Sequence, residues 1–157
     1  STQGFFPRTT SSLMPLECKI SWRACLMTIN SRTKGRAGEQ EIVRILKDEL
    51  RIDIRRNWMA QTAEKLHCDI MDVPGWAIEV KRHKTLARSG DWWTQACAQA
   101  LQCHRKPVVL MRADRQPWQA MVSLYHLRPE MHDHHPCTMS LESWCKLVRL
   151  ELDAAQS

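Results

Sequence analysis

Nowhere does this chain of 157 residues hold an apolar run long enough to cross a bilayer, which leaves no place for a helical membrane span. It holds no Cys-x-x-Cys pair either. Its seven cysteines, at positions 18, 25, 68, 97, 103, 137 and 145, are odd in number and irregularly spaced. That pattern argues against a disulfide framework and for reduced thiols in a cytoplasmic protein. Residues 1–30 lack a clean signal peptide, because Glu17, Lys19 and Arg23 break their apolar residues. Internal repeats and low-complexity tracts are absent too. What is present is the profile of about one globular domain, with 43% hydrophobic residues and a net charge of +6. A chain of this length buries roughly two-thirds of its unfolded surface. The basic balance suits a polyanionic partner without requiring one.

Taken in order, residues 1–30 are Ser/Thr-rich with no sustained period, and are expected to form an irregular N-terminal arm. A single domain is expected from 31 to 157, with a core at 31–123 and an extension at 124–157. Ile42, Val43, Leu46 and Leu50 fall at helical spacing, with Lys47, Asp48 and Arg51 on the other side. Glu39 stands on the apolar stripe near the start of that helix. Either it caps the first turn, where the helix dipole favours a carboxylate, or it is directed inward at a metal. Residues 52–60 read as a first strand. Residues 68–82 read as two short strands joined at Pro74-Gly75. A helix over about 91–104 follows, capped by Ser89 or Asp91. Strands at 107–112 and 118–123 and a short helix within 139–150 complete an α/β layout around one sheet.

The stretch at 68–82 carries the chemistry. Side chains alternate along a strand, so Trp76, Ile78 and Val80 form a core face while Ala77, Glu79 and Lys81 point the other way. Asp69 lies on the neighbouring strand, with Asp72 as an acidic competitor. Two carboxylates and a lysine on adjacent strands can hold a divalent ion and serve a water or phosphate beside it. The plainer alternative is a same-face ion pair between Glu79 and Lys81 on an edge strand.

The ordered set of Lys34-Gly35-Arg36-Ala37-Gly38-Glu39 opening a helix, Asp69 on a strand, Glu79-Val80-Lys81 on the next, Gln95 on the following helix and an apolar strand from Pro107 resembles the PD-(D/E)XK nuclease superfamily. Within it the likeness is greatest to the archaeal-type Holliday junction resolvases, and it covers about residues 31–123. The resemblance implies a restriction-endonuclease-like central mixed β-sheet flanked by helices. It implies a DNA endonuclease that hydrolyses phosphodiester bonds at branched DNA, with Mg2+ as cofactor and Mn2+ as substitute. Asp69, Glu79 and the backbone carbonyl of Val80 would ligate the ion, with Glu39 binding a second. Lys81 would be the catalytic lysine and Gln95 the polar residue behind the site. Cys68 stands where the family often has proline.

Arg32, Lys34, Arg36, Arg55, Arg56, Arg82, Lys84 and Arg88 flank this set in sequence order, where a DNA backbone would pass. Trp92-Trp93 can stack on bases or meet a second subunit, though a place in the core suits them better. The cluster of His126, His132, Asp133, His134, His135 and Cys137 meets no recognised zinc spacing. The expectation is therefore a homodimeric, Mg2+-dependent endonuclease in the cytoplasm of a bacterial or archaeal cell, encoded by the cell or by a virus. A nuclease of the same fold for duplexes or ends, and an inactive nucleic-acid-binding domain, are the alternatives.

Overall fold

The computed structural model describes residues 16–57 and 68–157, with side chains from Thr33 onward. The chain divides into two units, Ser1–Arg32 and Thr33–Ser157. In the first, the backbone from Leu16 is helical and begins α1, Leu16–Leu50. The irregular arm expected through residue 30 therefore gives way to helix from Leu16. No glycine or proline lies between residues 16 and 34, so local propensity carries a helix that no apolar period announces.

In the second unit, α1 leads to β1 (Trp76–His83), α2 (Ser89–Gln102), β2 (Lys106–Ala113) and β3 (Gln119–Ser123). The short α3 (Leu124–Leu127), a 3-10 turn at Pro129–Met131, β4 (Pro136–Ser140) and α4 (Leu141–Ala155) follow. The four strands form one sheet in the order β1-β2-β3-β4. β1 and β2 are parallel, with Glu79 beside Val109, and the other two pairings are antiparallel. The result is the α/β architecture, a mixed sheet with flanking helices, that the motif order implies.

Alternation along β1 sorts its residues between two cores. Trp76, Ile78 and Val80 pack with Ile42, Leu46 and Leu50 of α1 and with Trp144, Cys145 and Val148 of α4. The Trp76 and Trp144 rings meet edge to face at 5.4 Å. On the opposite face Ala77 packs with Cys68 and Ala100, while Val109, Met111 and Met121 pack with Trp92, Trp93 and Ala96 of α2. Both tryptophans are core residues. Within the extension from 124, β4 pairs with β3, and Leu141, Trp144, Cys145 and Val148 of α4 join the α1-side core.

Two expected strands change form. Residues 52–57 are irregular, while 58–60 lie outside the described residues. Arg51 takes φ 54 and ends α1, and the Arg55 amide then bonds the Asp72 carboxylate at 2.5 Å. A side chain has replaced a strand partner. The strand expected at 68–73 shrinks to one antiparallel bridge, in which Ile70 and Ile78 exchange both amide bonds at 3.2 Å. Its turn closes from the Trp76 amide to the Val73 carbonyl at 3.1 Å, with Gly75 at φ +79, which glycine adopts without strain. Arg105 braces this turn by donating to the carbonyls of Met71, Val73 and Trp76. Among the described residues, no helix is long and apolar enough to cross a membrane.

Candidate active site

Past Ile78, β1 turns polar at its free edge. Glu79 is 4% exposed, and its Oε1 accepts from Lys81 Nζ at 2.6 Å and from Gln95 Nε2 at 3.4 Å. The other carboxylate oxygen, Oε2, is buried with no hydrogen-bond partner among the described residues. The Val80 amide donates to Asp69 Oδ2 at 2.8 Å. A strand residue directs its N–H and C=O to the same side. Ile78 turns both toward Ile70, so Val80, two residues on, presents its carbonyl to the edge where Asp69 lies. Asn57 steadies this edge: its amide donates to the Asp69 carbonyl at 2.8 Å and its Nδ2 to the Cys68 carbonyl at 3.1 Å.

Burial is the main force raising the Asp69 carboxyl to about 7, and the neighbouring charges of Glu79 and Glu39 add to it. The Val80 amide and Lys81 work against that rise. Glu79 is raised as well, first by burial and then by Glu39, with Lys81 opposing. Three carboxylates from α1, the bridge and β1 thus repel one another in a poorly hydrated place. Glu39 reaches it because Gly38 lets α1 run close to β1: a Cβ there would stand 3.1 Å from Cβ of Arg82. The Glu39 carboxylate is ion-paired with Arg56, and both side chains are 16% exposed. Asp72 is exposed and bonded to the Arg55 amide, so Asp69 is the aspartate that faces Glu79.

Among the described residues, no three Asp, Glu, His or Cys side chains already converge as a ready metal cluster. The donor chemistry nevertheless fits a hard dication. Asp69, Glu79 and the Val80 carbonyl are all oxygen donors, Glu79 Oε2 lacks a partner, and two carboxyls are held above their ordinary range. His126 is bonded to Ser123 at 2.5 Å and His134 lies 4.2 Å from the Tyr125 ring, so the histidine segment is engaged in local contacts.

The basic residues expected to flank DNA divide into two groups. Lys34 pairs with Asp114 at 2.6 Å, Arg55 with Asp53 at 3.1 Å, Arg82 with Glu41 at 3.8 Å, and Arg88 with Asp91 at 3.1 Å. Arg56 pairs with Glu39. Arg36 and Lys84 are exposed, with no ion pair among the described residues, and the Arg32 side chain lies outside them. Spacing did not point to Asn57, Arg105 or the Glu39–Arg56 pair, since each acts across a loop with no period to betray it.

A family model described as phage putative PDDEXK endonuclease matches residues 30–144. No curated protein and no solved structure matches the chain.

Proposed function

The chain belongs to the phage putative PDDEXK endonuclease family, and from that premise we propose that it is a Mg2+-dependent DNA endonuclease acting on branched DNA. One observation carries the reading: the desolvated, mutually repelling pair of Asp69 and Glu79, with Lys81 bonded to the second of them. A module that only bound phosphates would gain little from clustered carboxylates. Asp69, Glu79 and the Val80 carbonyl would hold the ion, with Glu39 available for a second and Mn2+ an acceptable substitute. Bound there, the ion would offset charge on the phosphoryl oxygens and acidify a water.

The chain's own residues prepare that site. The Val80 amide and Asn57 fix Asp69, and Gln95 and Lys81 fix Glu79. Lys81 is placed to orient the attacking water or to meet charge developing on the phosphate. The motif set running from Lys34 to Gln95 and the basic residues on either side of it support a DNA substrate, and the branched form of that substrate rests on the likeness of the set to archaeal-type Holliday junction resolvases. A homodimer would give two symmetric cuts at a junction. The family's description supports a virus-encoded enzyme working in the cytoplasm of its host.

Cleavage of a four-way junction and of a linear duplex of matched sequence, each in Mg2+ and in EDTA, tests this. Metal-dependent cutting of the junction above the duplex, lost in Asp69→Ala, is the expected result. No metal-dependent cleavage of either DNA would overturn the enzyme; equal cutting of both would overturn the branch preference. Glu79→Gln should abolish cleavage and keep DNA binding in Ca2+. Loss of binding as complete as loss of cutting would make Glu79 a structural residue.

A further inference from the structure

The Glu39–Arg56 pair sits beside the carboxylates of the site. Two anchors fix Arg56 in place. The Arg55 amide is bonded to Asp72 and the Asn57 amide to the Asp69 carbonyl, so Arg56 lies between them beside the metal-binding edge. Its Nε faces Glu39, while its Nη2 is buried with no hydrogen-bond partner among the described residues. A guanidinium carries five donors in a planar fork suited to two oxygen acceptors at once. Here one arm of the fork holds a carboxylate and another waits. A buried donor without an acceptor is unfavourable, and an arriving phosphate oxygen would relieve it.

We propose that Arg56 is the exchangeable counter-ion of Glu39. In the substrate-free protein it neutralises Glu39; when a substrate phosphate reaches the edge, the guanidinium transfers to a non-bridging phosphate oxygen and frees Glu39 to bind metal. This rests on the phosphodiesterase reading of the same site. Substrate and metal are thereby coupled, because each favours the arrangement with Glu39 released. A site left with three bare carboxylates would load metal without DNA, and Arg56 opposes that.

The test measures Ca2+ affinity by calorimetry, with and without a four-way junction carrying phosphorothioate linkages, for the wild type, Arg56→Gln and Arg56→Lys. Without DNA, Arg56→Gln is expected to bind Ca2+ at least about fivefold more tightly than wild type, since its Glu39 is already free. The increase in Ca2+ affinity that DNA brings should shrink by a similar factor, and DNA affinity in EDTA should fall. Arg56→Lys, which keeps the charge and loses the fork, should restore Ca2+ affinity toward wild type while leaving DNA binding weak. A purely structural Arg56 would instead lower thermal stability in both variants and leave Ca2+ affinity unchanged or weaker. That result, or an undiminished DNA effect in Arg56→Gln, overturns the proposal. Wild-type Ca2+ binding that survives Asp69→Ala would overturn the reading of the site itself.

Discussion

At Asp69 stability and function pull in opposite directions. Its carboxyl is raised to about 7 from an ordinary value of 3.8. Between those values the folded state keeps a proton that the unfolded state has released, so this group lowers stability as pH rises through that window. Asp69→Asn keeps an oxygen able to accept from the Val80 amide and removes the charge. In EDTA at pH 8 it should therefore be more stable than wild type, by on the order of 1 kcal/mol, with the gain shrinking as pH falls toward 4. Thermal melts across that range check this; a variant less stable at pH 8 would mean that the carboxylate is needed to hold the edge together. With Asp69 in its proposed role as a ligand, the same proton would compete with metal. Mn2+ affinity should rise with pH up to about 7 and then flatten; in Asp69→Asn binding should be weaker and its pH dependence smaller, leaving the part that the raised Glu79 carboxyl contributes.

Elements place these residues, and the way α1 passes β1 decides where Glu39 arrives. Gly38→Ala sets about 1 kcal/mol of helix propensity against a Cβ 3.1 Å from Arg82. The expected outcome is a melting temperature within a few degrees of wild type but slower cleavage, because relief of the contact moves Glu39 away from Asp69. Unchanged turnover would show that the close approach is not required. On the same face Trp144 is fully buried against Trp76, so Trp144→Ala should cost about 3–5 kcal/mol, read by urea denaturation. That cost comes from a segment whose sequence looked like an extension. β1 and α2 were legible because alternation and helical spacing mark their buried residues, and β2 and β3 because strands buried on both faces read as short apolar runs. The alternation in β1 placed Glu79 and Lys81 on the face opposite the α1 core. β4 was not legible: it is short, begins at Pro136, and turns only Cys137 and Met139 toward the core, each half-buried, which is too brief an alternation to mark a strand. Nor was the region around Arg55 to Asn57, whose order comes from Asp72 and the Asp69 backbone on the far side of a loop.

For the whole molecule, a net charge of +6 would suggest a surface that attracts DNA everywhere, but ion pairing makes it uneven. Lys34, Arg55, Arg82 and Arg88 each face a carboxylate, so a phosphate must displace that partner and gains less than a full unpaired charge. Arg36, on α1 before Glu39, and Lys84, just past the end of β1, have no such competitor among the described residues. One stands on the element that carries Glu39 and the other directly follows the element that carries Glu79, so a phosphate backbone drawn to both would lie along the site. Each phosphate neutralised contributes about 0.9 to the slope of log affinity against log salt. Arg36→Ala and Lys84→Ala should each reduce that slope by about 1 and weaken junction and duplex alike, while Arg88→Ala should change it by less than half as much. Binding titrations from roughly 50 to 200 mM salt read the difference. A slope insensitive to Arg36 and Lys84 but sensitive to Arg88 would mean that DNA opens the surface ion pairs, and would move its path toward the start of α2.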